Sequence, residues 1–215
     1  MPFQPFEREA DRSEYRRHLP HWAQPGCTYF VTFRLGDSLP VVTLDRWRAE
    51  RTTWLRAHGL QDPAEVVQLP EPERREFHRH FNRRLQEYLD AGEGSCLLRD
   101  PRFSSIVASA LLFFDTKRCA LGDFVVMPNH VHLLVTPFPG WKLTDLLRGW
   151  KRFSASEINK LREAQGSLWM DENFDHAVRN REQLDYFRRY IVENPRKARL
   201  REGEYALGCG SDAGQ

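Results

Sequence analysis

Two periodicities of apolar residues divide the chain into predicted strands and helices. Residues 26–35, residues 119–126 and the segment after Asn129 are rich in β-branched and aromatic side chains, which predicts three strands. Apolar residues recur every three or four positions elsewhere, which predicts helices over 44–58, 70–90, 104–117, 144–163 and 181–194. The last helix is predicted to end at Asn194 because Pro195 disfavours helical geometry in the residue before it.

The order of these elements predicts the fold class. Strand, helix, strand, strand and helix around an antiparallel sheet is the ferredoxin-like plan, an α+β fold, and we expect the helices to lie on one face of the sheet. Residues 168–176 are typical of an ordered loop or a short strand. Residues 43–98 would then form a helical insertion between the first strand and the first core helix.

Composition suggests how the chain is organised. Residues 1–20 are charged and interrupted by prolines, so we predict an N-terminal arm that is ordered only where it docks. Residues 21–201 form the predicted main domain, and the Gly-rich segment 202–215 is predicted to be a flexible tail. Hydrophobic residues make up 40% of the chain and charged residues 29%, which is ordinary for a globular protein.

The sequence gives no sign of a membrane protein or of a disulfide framework. No apolar run is long enough to cross a bilayer, and the first residues lack the core of a signal peptide. The four cysteines have no CxxC spacing, which favours reduced thiols over disulfides or a zinc site. We therefore expect a cytoplasmic protein without a membrane partner.

Positive charge is concentrated late in the chain. The formal net charge is only +2, but residues 141–201 contain 14 Lys and Arg against nine Asp and Glu. A basic surface in this part would suit a phosphate backbone, and a set of solvated helical faces would give the same count. Charge alone therefore leaves both interpretations open.

A pair of histidines follows the sequence Met-Pro-Asn at residues 127–129. Apolar β-rich segments flank this tripeptide, which predicts a tight connection between two strands. Successive strand side chains alternate faces, so His130 and His132 point the same way. Two imidazoles side by side can share one metal ion, although an isolated His-X-His is more often a half-exposed pair on a strand.

The last predicted helix carries a second set of polar groups. Tyr186, Tyr190 and Asn194 are spaced by four, so all three share one helical face. Tyrosines on a helix are usually core or rim residues. Near a metal that polarises a phosphate, however, a tyrosine hydroxyl can act as a covalent nucleophile toward phosphorus.

Together these motifs resemble those of one family. Residues 127–132 resemble the HUH motif (His, hydrophobic, His) of single-tyrosine nucleases, and about residues 21–201 resemble a REP-associated tyrosine transposase. The combination is far more specific than the histidine pair alone. The other segments that carry the resemblance are 150–153, 168–169, 174–179 and 190–198.

The resemblance implies an HUH-type fold, a reaction and roles for individual residues. His130, His132 and Asn194 would bind Mg²⁺ or Mn²⁺, and Tyr190 would be the nucleophile, with His130 and His132 as its catalytic partners. The implied reaction cleaves single-stranded, hairpin-forming DNA to give a 5′-phosphotyrosine and a free 3′-hydroxyl. Attack by a 3′-hydroxyl rejoins strands, as transposition requires. The implied partner is hairpin or single-stranded DNA, with association with the nucleoid, and the chain would act as a homodimer or a monomer.

Several side chains are candidates for contacts with such DNA. Trp150 and Trp169 could stack on unpaired bases, although Trp150 fits the core better. For each basic residue, a solvated surface position is as good an interpretation as a phosphate contact. The candidates for phosphate contacts are Lys151, Arg152, Arg179, Arg188, Arg189, Arg196 and Lys197.

Two other functions remain open from the sequence. A ferredoxin-like domain could bind hairpin DNA or RNA without cutting it, since such sheets bind single strands through aromatic residues. A metal-dependent phosphoesterase would use activated water and leave no DNA on the protein. Convergence of His130, His132 and a tyrosine hydroxyl on one ion-sized site would argue against the first, and a covalent product would exclude the second.

Overall fold

The computed structural model of the protein describes residues 3–6, 13–16, 20–24 and 26–211. Its strands are β1 (Ser13–Arg16), β2 (Pro20–Ala23), β3 (Tyr29–Leu35), β4 (Cys119–Val126), β5 (His130–Pro137), β6 (Trp169–Ala177) and β7 (Ala206–Cys209). Its α-helices are α1 (Val41–Ala57), α2 (Glu71–Asp90), α3 (Pro101–Phe114), α4 (Leu143–Leu161) and α5 (Arg181–Lys197). Short 3₁₀ helices span Pro63–Gln68 and Leu97–Arg99.

The sheet has the strand order that the ferredoxin-like plan requires. Within the described residues, five strands pair in the order β6-β3-β5-β4-β7, and every pairing is antiparallel. Strands β1 and β2 pair separately as a hairpin. The predicted α+β fold with a ferredoxin-like antiparallel sheet is therefore confirmed, and the segment near residue 170 is a nine-residue strand rather than a loop.

Helices cover both faces of this sheet, so the expectation that they lie on one face is wrong. Helices α3 and α4 bury their apolar stripes with Val131, Leu133 and Val135. Helix α5 buries its own stripe with Phe30 and Leu134, which point to the opposite face. Every residue of β5 is buried, so both of its faces are covered by helices. The face that carries α5 also carries the histidines.

The start of α3 is fixed by a polar cap that the hydrophobic pattern does not show. The Asp100 side chain accepts a hydrogen bond from the backbone N–H of Arg102 at 2.9 Å, and Pro101 occupies the first turn. Both features favour a helix start. The helix therefore begins at Pro101, three residues before its predicted start.

Helix α5 continues through Pro195, so its predicted end at Asn194 is wrong. Proline removes one backbone donor, but the last turn is closed by other bonds. The backbone N–H of Ala198 donates to the Asn194 carbonyl oxygen at 3.0 Å, and that of Leu200 donates to the Pro195 carbonyl oxygen at 2.9 Å. Asn194 and Pro195 are both buried, so packing outweighs the local preference.

The segment predicted as a flexible tail contributes strand β7, which pairs with β4. The glycines of this segment allow its backbone to lie close against β4, so they do not make it a flexible tail. A Cβ atom at Gly208 would lie 2.5 Å from the Phe124 ring, and one at Gly210 would meet the Leu121 carbonyl oxygen. Residues 212–215 of the predicted tail lie outside the described residues.

Part of the predicted N-terminal arm docks on the sheet. Phe6 is buried, and its backbone N–H donates to the Val178 carbonyl oxygen at 2.9 Å. The backbone N–H of Thr28 donates to the Gln4 carbonyl oxygen at 2.8 Å. Residues 1–2, 7–12 and 17–19 of the arm lie outside the described residues.

The predicted insertion is helical and has a small core of its own. Helices α1 and α2 pack around a cluster of buried side chains that does not belong to the sheet, comprising Leu55, Leu60, Val66, Phe77 and Phe81. The last turns of α2 contact the histidine site through Gln86 and Asp90, as described below. In the part of the chain that the structure describes, no helix is long and apolar enough to cross a membrane.

Candidate metal and nucleophile site

The two histidines of β5 lie side by side and are completely buried. His130 and His132 are both 0% exposed, and their Nε2 atoms are 2.9 Å apart. They occupy the face of β5 that α5 covers, as strand alternation predicts. The Phe30 ring on the neighbouring strand β3 stacks on the His132 ring at 5.5 Å. The prediction that the two imidazoles point the same way is confirmed.

Hydrogen bonds at the other ring nitrogens fix how these histidines are oriented. Asn129 Nδ2 donates to the carbonyl oxygens of Leu89 and Glu93, at 3.3 and 3.0 Å. Asn129 Oδ1 is therefore the atom that faces His130 Nδ1, at 2.7 Å, and the imidazole must donate. The Nε2 lone pair of His130 then points into the site. The His132 ring is also held at both nitrogens, since its Nδ1 lies 2.7 Å from Thr32 Oγ1 and its Nε2 lies 2.9 Å from that of His130.

Burial keeps both imidazoles neutral. Loss of solvation lowers the pKa of His130 to about 3. The pKa of His132 is lowered well below its usual value by burial and also by the neighbouring His130. Neutral imidazole is the form that binds metal, so the fold presents both side chains in a ligating state at neutral pH.

Tyr190 is the tyrosine that reaches the histidines. Its ring centroid lies 5.2 Å from that of His132, and the two residues belong to the same chain. Its hydroxyl donates to Gln86 Oε1 at 3.3 Å. Tyr186 shares the helical face but is 56% exposed, and its ring stacks on Tyr190 at 6.4 Å. The structure therefore distinguishes Tyr190, which reaches the histidines, from the exposed Tyr186, although both have the same spacing on the helix.

The Tyr190 hydroxyl is protonated in the folded protein. Burial raises its pKa above the usual value for tyrosine, and the neighbouring Asp90 carboxylate raises it further. A nucleophilic role for this hydroxyl therefore needs a nearby positive charge or a proton acceptor.

Asn194 is buried beside the histidines with one polar atom unsatisfied. Its Nδ2 donates to Asp90 Oδ1 at 3.3 Å. Its Oδ1 is buried and has no hydrogen-bond partner among the residues that the structure describes. An unpaired buried oxygen is costly, and coordination of a cation would satisfy it.

A carboxylate that sequence reasoning missed completes the cluster. Asp90, at the end of α2, places Oδ1 3.7 Å from His130 Nε2. One ligand atom from each of Asp90, His130 and His132 lies within 4.8 Å of the others. Burial raises the pKa of Asp90 to about 6, against the hydrogen bond from Asn194 and the charge of Lys197. No sequence signal marked Asp90, which is 40 positions before the first histidine on a helix rich in charge.

These donors fit a divalent cation. Two neutral imidazoles, one amide oxygen and one carboxylate form a mixed nitrogen and oxygen set, of the kind that binds Mn²⁺ and related ions. The unsatisfied Asn194 oxygen and the facing imidazole nitrogens are the observations that support this fit. Of the three predicted ligands, His130 and His132 face each other, and Asn194 is linked to His130 through Asp90.

A hydrogen-bonded chain connects Tyr190 to His132 through the insertion. Gln86 of α2 accepts from the Tyr190 hydroxyl, and its Nε2 donates to Thr32 Oγ1 at 3.4 Å. Thr32 in turn contacts His132 Nδ1. Neither Gln86 nor Thr32 was predicted, because nothing in their local sequence indicates the pairing of elements that brings them together.

The basic residues predicted to contact DNA divide into two groups. Lys197 lies over the tyrosine, with its Nζ 6.0 Å from the Tyr190 ring centroid and 3.0 Å from Glu193. Arg188 on the same helix pairs with Asp123 at 2.7 Å. The other predicted cations of the α5 side are exposed, namely Arg179, Arg189 and Arg196.

The second group lies on the opposite face of the sheet. Arg152 is exposed, and the Lys151 Nζ donates to the carbonyl oxygens of Met170 and Asp171, at 2.9 and 3.1 Å. Both line a cleft between α4 and β6. The structure therefore does not bring all seven predicted cations to one surface.

Neither tryptophan is available to stack on bases. Trp150 is 1% exposed and belongs to the core. Trp169 is 5% exposed, packs against Phe33 at 4.8 Å and donates its Nε1–H to Ser154 Oγ at 3.0 Å. The expectation that Trp169 contacts unpaired bases is therefore wrong, because the apolar α4 layer covers this face.

One family model matches the part of the chain that carries the motifs. Residues 102–194 match the model of the family described as IS200-like transposases. Among solved structures, the chain is similar to a REP-associated tyrosine transposase bound to a REP hairpin. The identity is 17%, the TM-score is 0.46, and 86% of this chain and 73% of that chain are covered. A comparison with curated proteins gave no match. The segment that matches this family model, 102–194, includes His130, His132, Tyr190 and Asn194.

Proposed function

We propose that the protein cleaves and rejoins single-stranded, hairpin-forming DNA through a covalent bond to Tyr190. His130, His132 and Asn194 would hold Mg²⁺ or Mn²⁺ beside the tyrosine. The observation that carries this proposal is the meeting of side chains from two separate elements. The buried imidazoles of β5, and the tyrosine and unsatisfied amide oxygen of α5, adjoin one point.

The reaction balances with the groups present. The Tyr190 oxygen forms a bond to the scissile phosphorus, and the bond from phosphorus to the 3′ oxygen breaks. The DNA is left with a 5′-phosphotyrosine and a 3′-hydroxyl, and attack by a 3′-hydroxyl reverses the step. A divalent ion, when bound, supplies Lewis-acid polarisation of the phosphate. Gln86 Oε1 orients the hydroxyl that must lose its proton during attack.

Exposed cations around the tyrosine suit a phosphate backbone. Lys197 lies over the Tyr190 ring, and Arg189 and Arg196 are exposed on the same helix. Contacts of this kind bring the strand to the site without reading its sequence. Such binding weakens as salt concentration rises, since bound counterions are released from the DNA.

The two alternative functions explain the site less well. A protein that only binds hairpins has no use for buried, neutral imidazoles aimed at each other beside a tyrosine. A phosphoesterase that uses water has no use for Tyr190, whose hydroxyl is held 3.3 Å from Gln86. The tyrosine nuclease and the water-using phosphoesterase differ in their product, because only the nuclease leaves DNA covalently attached to the protein.

The test compares two tyrosines of one helix. Tyr190→Phe removes one oxygen and little packing, so DNA binding should persist while the covalent product disappears. Tyr186→Phe is the matched control and should still form the product. Each variant is incubated with Mn²⁺ and a labelled hairpin substrate, and the label that migrates with denatured protein is measured.

Two results would contradict the proposal. Label retained by Tyr190→Phe would assign the nucleophile to another residue. Cleavage without any labelled protein in the unmodified chain would instead favour the water-using phosphoesterase.

A further inference from the structure

We propose that Asp90, in the helical insertion, is a ligand of the divalent ion. The inference deepens the proposed function and depends on it, because it concerns the same ion. It makes helix α2 part of the catalytic machinery rather than an additional surface of the domain.

The position of Asp90 is the first observation. Its Oδ1 lies 3.7 Å from His130 Nε2 and 3.3 Å from Asn194 Nδ2, so it lies between the strand and helix contributions to the site. The ligand atoms of Asp90, His130 and His132 are within 4.8 Å of one another. One small cation can contact donors that are this close after modest adjustment of side chains.

The backbone around Asp90 is fixed to the histidine strand. Asn129 Nδ2 donates to the carbonyl oxygen of Leu89, immediately before Asp90, and to that of Glu93. The same Asn129 orients His130 through its Oδ1. The Leu89 side chain is 1% exposed, so packing reinforces the hydrogen bonds. One asparagine thus sets the positions of both the histidine and the carboxylate.

A second contact holds the preceding turn of α2 over the tyrosine. Gln86, four residues before Asp90, accepts from the Tyr190 hydroxyl and donates to Thr32. Residues four apart share a helical face, so Gln86 and Asp90 are presented to the site together. Two successive turns of the insertion therefore contact the site through separate groups.

Asp90 differs from the other candidate ligands because its carboxylate can bring a negative charge to the ion. His130, His132 and Asn194 are all neutral ligands, and hard divalent ions prefer anionic oxygen. Within the described residues, Asp90 is the acidic member of the only histidine-containing cluster that could hold a metal. If Asp90 served only to accept the hydrogen bond from Asn194, a neutral acceptor would do equally well.

Direct measurement of metal binding tests the inference. The affinity of the DNA-free protein for Mn²⁺ is measured by isothermal titration calorimetry and by the electron paramagnetic resonance signal of free Mn²⁺. Asp90→Ala should weaken binding by about tenfold or more, as should His130→Ala. Asp90→Asn keeps the shape and the Asn194 contact, so it should fold normally and still bind weakly. Glu76→Ala, an exposed carboxylate of the same helix, is the matched control and should bind as the unmodified chain does.

The outcomes separate this inference from the proposed function. If Asp90→Ala and Asp90→Asn bind Mn²⁺ as tightly as the unmodified chain while His130→Ala does not, Asp90 is not a ligand and the histidine site stands. If His130→Ala also binds normally, the proposed metal site is itself wrong.

Discussion

Helices α5 and α2 both place polar side chains beside the same two histidines, yet they differ in how they come to do so. Tyr190 and Asn194 of α5 lie in one chain segment with a spacing of four. Gln86 and Asp90 of α2 have the same spacing, but each lies 104 positions before its partner in α5, Tyr190 or Asn194. The first pair is visible in the sequence as a motif, and the second is visible only after the insertion has packed.

The comparison indicates that an insertion can acquire part of a site without carrying a motif for it. Helix α2 has a core of its own with α1, which accounts for Phe77 and Phe81. Its contribution to the site depends on one anchoring residue, Asn129, at the start of the histidine strand. Substitutions at the histidines, at the Asn129 anchor and on α2 should therefore have effects of different size on cleavage and stability.

The largest effect is expected from the histidines that both helices adjoin. His130→Ala and His132→Ala should each abolish metal-dependent cleavage, because no other described side chain replaces the lost imidazole in this cluster. A gel assay of hairpin cleavage with Mn²⁺ measures the loss. His80→Ala on α2, whose ring packs on Phe81, is the control and should cleave normally. Cleavage at the parental rate by either strand variant would exclude the pair as ligands.

The next effect concerns the link between α2 and β5. Asn129→Ala removes the donor to the buried Leu89 and partly buried Glu93 carbonyl oxygens and the acceptor of His130, and should lower the free energy of unfolding by about 2 kcal/mol. Urea denaturation measures this change. Asn159→Ala loses one exposed bond to the Gly166 carbonyl oxygen and should change stability much less. Equal losses in the two variants would show that Asn129 is not a special anchor.

The smallest effect is expected at Gln86, which positions the tyrosine without reacting. Gln86→Leu removes the acceptor of the Tyr190 hydroxyl, so formation of the covalent product should slow by roughly fivefold to tenfold, equivalent to about 1 kcal/mol. DNA affinity should not change. Gln86→Glu keeps an acceptor and should recover most of the rate. A rate unaffected by Gln86→Leu would leave α2 with no role at the tyrosine.

Most strands and helices could be predicted because the spacing of apolar residues within each segment determines its secondary structure. Strand β4 spans the residues that its β-rich run indicated, and the histidine side chains share a face as alternation requires. The errors arose where non-local contacts decide the outcome. Helix α5 passes Pro195 because burial outweighs a local preference, and the Gly-rich segment near residue 208 is a strand because its glycines fit against Phe124.

The candidate site was predictable in part for the same reason. His130, His132, Tyr190 and Asn194 could be found because each pair has a spacing that matches its own element. Asp90 could not, since a carboxylate on a strongly charged helix is usually a solvated side chain. Only the docking of α2 through Asn129 distinguishes Asp90 from the other acidic residues of that helix.

Strand β7 protects an edge that is otherwise prone to aggregation. Strand β4 is buried along most of its length and pairs with β5 on one side only, so its other side depends on β7. A chain truncated after Gly203 would present a row of open hydrogen-bonding groups on an apolar strand, which is a template for pairing between molecules. Strand β7 therefore covers the open edge of β4, and we expect a chain truncated after Gly203 to aggregate more readily than the full chain.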